Sequence, residues 1–215
     1  MRIYRNGVGY LRGTAVAAIL ETMTTFHLVT NDRDPERRAL ILPGSNYVAQ
    51  APLLWYAEEV LGIHGWTTEA FVWNGTPESR TEVRMAYDMV LRQRTAVESG
   101  AMYCVVGKSL GTLVLPTAVD LEVPGVWLTP LLSEEQAEVE LHASVREIGA
   151  LGIPALFIGG TADPAWDGEI ARGGGTVLEV PGATHRLEIP GDWRASLTIL
   201  TGVASAIDNF VSGLE

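Results

Sequence analysis

The chain of 215 residues has one cysteine, Cys104, so no intrachain disulfide can form. That agrees with an expected location in a reducing cytoplasm, and Cys104 reads as core packing. Positive charge is scarce. Fifteen Lys and Arg stand against 26 Asp and Glu, a net charge of −11 that argues against nucleic acid or an anionic membrane surface as partner. Long apolar runs are missing as well. Ala15-Val16-Ala17-Ala18-Ile19-Leu20 is too brief for a membrane span and is closed by Glu21, and as the h-region of a signal peptide it is poor. There is no Pro/Ser-rich linker, charge block or internal repeat, and Gly173-Gly174-Gly175 is short enough to be a turn. The four histidines, His27, His64, His142 and His185, have no metal-ligand spacing, so neither a metal nor a cofactor is expected.

What is present is apolar sequence, 47% of the chain, enough for a substantial core in one α/β domain spanning residues 1–215. From Ala39 onward short apolar runs alternate with longer amphipathic ones, the pattern of a parallel sheet with helices on both faces. The expected strands are Ala39–Leu42, Ala70–Trp73, Met102–Val106, Gly125–Leu128, Ala155–Ile158 and Thr176–Val180. Helical periodicity places Val83, Ala86, Val90 and Val97 on one side and Arg80, Arg84, Asp88 and Arg92 toward water, and recurs in Leu200, Val203, Ala204, Ile207 and Phe210. Ser133 and Gln136 have the spacing of a capping box. Residues 1–38 suit antiparallel strands, Leu11–Leu20 and Thr24–Thr30, extending the sheet.

The most informative segment is Gly107-Lys108-Ser109-Leu110-Gly111, directly after the run Ala101-Met102-Tyr103-Cys104-Val105-Val106. It reads as strand, sharp turn, helix. Glycines two positions either side let the backbone double back, and the turn presents the Ser109 hydroxyl above the sheet. Gly107-Lys108-Ser109 also spells the end of a phosphate-binding P-loop, but the glycine required five positions earlier is replaced by Met102. Lys108 is then a solvent-facing elbow residue, placed to meet substrate. Pro116, about two turns into the following helix, predicts a kink or an early end.

A serine nucleophile needs a base, a group that holds the base in one tautomer, and N–H donors for the oxyanion. Gly159-Gly160-Thr161-Ala162-Asp163 sets a carboxylate beyond one strand, and Pro181-Gly182-Ala183-Thr184-His185 sets an imidazole beyond the next. Asp167 competes with Asp163 for the acid role, lying about one helical turn further on.

The order Ser109, Asp163, His185, with the elbow and the phrases Gly160-Thr161-Ala162-Asp163 and Gly182-Ala183-Thr184-His185, resembles the α/β-hydrolase superfamily over roughly residues 39 to 213. The resemblance implies an α/β-hydrolase fold and attack by Ser109 on an acyl carbonyl, with His185 as base and Asp163 as its orienting acid. It also implies an oxyanion hole from the Leu110 amide and one in Leu42-Pro43-Gly44-Ser45-Asn46-Tyr47. The superfamily often has His-Gly in that loop where this chain has Pro43-Gly44, so the second amide is that of Ser45 or Asn46.

Tyr47, Trp127 and Trp166 fall near strand ends, where they suit either a substrate wall or packing. Glu134, Glu135, Glu138 and Glu140 suit a solvated helix face, and Asp192 suits a helix cap. Only about one strand-helix-strand unit fits between Ser109 and Asp163, which leaves no room there for a cap domain. An uncapped cleft favours a small carboxylic ester or thioester, with amide hydrolysis as a variant. The reading from another class is a silent scaffold that binds a small ligand or protein partner. An exposed sheet edge or the terminal helix offers a route to a homodimer.

Overall fold

The computed structural model describes residues 26–97, 100–133 and 139–214. Their elements run β1 (Phe26–Asn31), β2 (Asp34–Leu42), α1 (Pro52–Ile63), β3 (Trp66–Trp73), α2 (Arg80–Val97), β4 (Met102–Lys108), a 3₁₀ turn (Ser109–Val114), α3 (Leu115–Asp120), β5 (Gly125–Leu128), α4 (Val139–Leu151), β6 (Ala155–Gly160), α5 (Gly168–Arg172), β7 (Thr176–Val180) and α6 (Trp193–Ser212). The sheet order is β1-β3-β2-β4-β5-β6-β7, parallel throughout except that β1 pairs antiparallel with β3.

Strand alternation builds two cores from one sheet. On β2, Leu40 and Leu42 face the cluster containing Val83 and Tyr87 of α2, Val119 of α3 and Val145 of α4. Their neighbours Ala39 and Ile41 face the opposite cluster, with Leu54 and Leu61 of α1 and Val203, Ile207 and Val211 of α6. By length and composition α6 is also apolar enough to cross a membrane; here it packs on the sheet through those three side chains.

Several expected boundaries move. β4 continues through Lys108 and β6 through Gly160, because Gly107 pairs with Trp127 and Gly160 with Val180 in the ladder. These glycines lie within the ladder and admit close neighbours, since a Cβ on Gly107 would lie 2.7 Å from the Gly111 carbonyl oxygen. β3 begins at Trp66, four residues before the expected start, because Thr67, Thr68 and Glu69 are buried despite being polar. Val97 is exposed at the end of α2. The segment Thr24–Thr30 overlaps β1, which is antiparallel as expected; Leu11–Leu20 and the Ser133–Gln136 cap involve positions outside the described residues.

Pro116 neither kinks nor breaks a helix. The chain leaves Ser109 as a 3₁₀ turn, and α3 begins afresh at Leu115, so Pro116 falls in its first turn where the missing N–H is not needed. Among the described residues, only α3, β5, α4 and β6 lie between the 3₁₀ turn and Asp163, and no segment covers the site as a cap.

Candidate active site

The site is built at the C-terminal ends of β2, β4, β5 and β6 and on the loop after β7. Ser109 adopts φ 52°, the left-handed region, as the tight turn after β4 requires. The crowding explains the flanking glycines: a Cβ on Gly111 would collide with the Leu42 carbonyl, and one on Gly44 would lie 2.9 Å from Ser109 Cβ. The role of Gly44, which lets the β2 loop approach the serine, was not apparent from the pattern of residues alone.

Ser109 Oγ lies 2.8 Å from His185 Nε2, and His185 Nδ1 lies 2.8 Å from Asp163 Oδ2. The Asp163 side chain is fully buried and its other oxygen accepts the Ala165 N–H at 2.9 Å, so the carboxylate is fixed at both ends. A carboxylate on Nδ1 places the imidazole proton there and leaves Nε2 to accept the serine proton. Asp167 does something else: its Oδ1 accepts the Glu169 and Ile170 N–H groups and caps α5. Asp192 likewise caps α6 by accepting the Ala195 N–H.

Two cavities flank the loop after β2. A smaller one, about 190 Å³, is bordered by Leu110, Gly44, Ser45 and Asn46, with Trp73 and Tyr87 behind them. A larger groove, about 810 Å³, runs between Tyr47 and Leu53 on one side and Arg186, Ile189, Trp193 and Leu197 on the other. Leu110 is the second residue of the 3₁₀ turn, where no preceding carbonyl of that turn can reach its N–H. The β2 loop is held from below by Tyr87, whose buried hydroxyl donates to the Pro43 carbonyl at 2.8 Å and accepts from Trp73 Nε1 at 3.2 Å. Burial raises the Tyr87 pKa, so this hydroxyl stays protonated and able to donate.

The aromatic residues divide. Tyr47 borders both cavities and its hydroxyl accepts the Leu53 N–H at 3.0 Å. Trp127 is fully buried in the core, with Gly125 making space for its ring, so it is packing and not a substrate wall. Trp166 lies over Gly159 and donates Nε1–H to Glu179 at 2.9 Å, away from both cavities.

Lys108 overturns its expected exposure. It is 2% exposed and borders neither cavity; its Nζ donates to Thr129 Oγ1 at 3.1 Å and to the His185 carbonyl at 3.2 Å. Burial pushes the ammonium down to about 8, opposed by the charge of Asp163. The Cys104 thiol is buried and pushed up to about 12 by the same desolvation, so it is an inert core group.

The sequence matches no protein-family model and no curated protein. Among solved structures it is similar to an α/β serine hydrolase without lid from Xanthomonas campestris, with TM-score 0.62 and 15% identity over 88% of this chain and 89% of that one. It is also similar to Est1E from Butyrivibrio proteoclasticus with ferulic acid bound, with TM-score 0.63 and 14% identity over 87% and 94% of the two chains. An esterase from Pyrococcus furiosus gives TM-score 0.62 and 13% identity over 99% and 98%.

Proposed function

Because this chain has the α/β-hydrolase fold without a lid, we propose that it is a serine hydrolase cleaving carboxylic esters through an acyl-serine intermediate. The observation that carries this reading is the unbroken hydrogen-bonded line from Ser109 Oγ through His185 to buried Asp163, with the serine held in a strained elbow. Fold alone would not support it, since this architecture hosts many activities.

In this mechanism Ser109 Oγ attacks the ester carbonyl carbon as its proton passes to His185 Nε2. The carbonyl oxygen becomes an oxyanion facing the Leu110 N–H and an amide of Ser45 or Asn46. The imidazolium, steadied by Asp163, returns the proton to the leaving alkoxy oxygen as the carbon–oxygen bond breaks. Water then attacks the acyl-serine with His185 again as base, releasing the carboxylic acid and restoring Ser109. The base must start neutral in order to take the serine proton.

The cavities support a two-limbed substrate, with a short acyl group in the smaller cavity beside Leu110 and a bulkier apolar limb in the groove beside Tyr47. A thioester fits the same chemistry. On this reading the enzyme is cytoplasmic and has no nucleic-acid partner, in keeping with one buried thiol and a net charge of −11. The test is hydrolysis of p-nitrophenyl and acyl-thioester series by wild type and Ser109→Ala. The variant is expected to lose about 10⁴-fold or more in kcat/KM. Failure of folded wild type to turn over any ester or thioester, with ligand binding unaltered in Ser109→Ala, would replace the hydrolase by a binding scaffold.

A further inference from the structure

Lys108 stands next to the nucleophile in sequence yet touches neither cavity, and its surroundings tie together segments that are distant in the chain. Its Nζ reaches Thr129 Oγ1 at the end of β5 and the backbone carbonyl of His185, and lies 4.6 Å from the centroid of the Tyr47 ring. The loops carrying the base and the wall of the groove, and the end of β5, therefore meet on one ammonium. Charged and titratable groups facing it are Asp163 from the β6 loop, Tyr47 from the β2 loop, and His185, Arg186 and Glu188 from the loop after β7. Among the described residues no carboxylate makes an ion pair with it.

A second observation is independent of the lysine. Thr129 is fully buried with φ 44°, a left-handed conformation that a β-branched residue rarely adopts. That strained backbone is anchored by the Thr129 N–H on the Ile158 carbonyl at 2.7 Å, and it is Oγ1 of this residue that meets Lys108. Leu187, two residues beyond His185, is also left-handed at φ 56°. Strain of this kind persists where the surrounding contacts over-determine it.

We propose that Lys108 is a positioning residue: its buried ammonium fastens the histidine loop to the end of β5 and to Tyr47, and so holds the His185 imidazole in line with Ser109 Oγ. This rests on the serine-hydrolase reading. Arginine would be a poor substitute, since a planar fork does not replace a compact ammonium between a hydroxyl, a carbonyl and a ring face.

The test compares wild type with Lys108→Met, which keeps the volume and removes the charge and donors. The readouts are the rate of fluorophosphonate labelling, kcat and KM for p-nitrophenyl acetate, the thermal midpoint, and the low-field NMR resonance of the proton between His185 Nδ1 and Asp163. The expected result is a fall of about 30-fold in labelling rate and kcat, the scale of a misplaced catalytic group. KM changes less than about threefold and the low-field resonance is lost. Thr129→Val, which keeps the lysine and removes one acceptor, lowers kcat about fivefold.

Unchanged labelling and an unchanged low-field resonance in Lys108→Met would overturn the proposal. So would a variant that loses activity only by failing to fold, provided Thr129→Val also keeps its full rate. If wild type neither labels nor turns over ester, the hydrolase reading has failed, and the resonance still decides the clamp: its loss in Lys108→Met supports it and its retention overturns it.

Discussion

Glu69 and Lys108 are buried on β3 and β4, the two strands that flank β2, and the fold treats their charges differently. Glu69, 3% exposed, faces Arg94 at 2.7 Å and Arg38 at 3.8 Å, two cations that emerge partly into solvent. Lys108, 2% exposed, is met by a hydroxyl, a carbonyl and an aromatic face, none of which carries a full negative charge. The first arrangement is what burial of a charge demands if it serves only the fold. The second leaves a cation desolvated at the C-terminal end of the sheet, where Asn46, Ser109, Thr129 and Leu187, four of the five left-handed non-glycine residues among those described, also lie. Backbone strain thus gathers at that end, while Glu69 is paired by two arginines, although its Oε2 accepts no hydrogen bond among the described residues.

The sharpest contrast is between the two aspartates of the β6 loop. Asp163→Asn is expected to lower kcat about 10³- to 10⁴-fold with the fold intact, because an amide no longer holds the His185 tautomer; kinetics beside a circular-dichroism spectrum check it. Asp167→Ala, by comparison, leaves kcat unchanged.

The buried charge of Lys108 answers to pH. The Lys108 value is lowered from 10.5 to about 8 in the fold. Between those values the unfolded chain binds the extra proton, so this group's contribution to stability rises with pH across the window and is lost as pH falls through about 8. Lys108→Met removes that dependence. In urea denaturation, its stability relative to wild type should drop by roughly 3 kcal/mol between pH 7 and pH 10.5. A constant difference would place the lysine in a better-compensated site than the geometry implies. Glu69→Gln should be smaller and of another kind, about 2 kcal/mol of lost stability with kcat unchanged, since its arginine partners can turn to water. Smallest is the Asp167→Ala cap, about 1 kcal/mol by the same denaturation.

Much of the site was legible because its signals are local. A serine between glycines, and an acid and a histidine each following a strand, are patterns of a few residues whose spacing reports their place at strand ends. The order of the motifs favours Asp163 over Asp167, and the fold supplies the reason: the Asp163 carboxylate meets His185 while that of Asp167 caps α5. Burial of Lys108 was illegible because its partners Tyr47, Thr129 and His185 come from three separate loops. Nor did the sequence distinguish Tyr47, which borders both cavities, from Trp127, which a space made by Gly125 draws into the core. Pro116 misled because the chain inserts a 3₁₀ turn before α3, turning a helix breaker into a helix start.

Whether Ser109 is an activated nucleophile is asked directly by intact-mass spectrometry after fluorophosphonate treatment, without requiring the natural substrate. A single phosphonyl adduct on wild type, absent from Ser109→Ala, is the predicted result. No adduct on folded wild type, or an adduct that persists in Ser109→Ala, would contradict it.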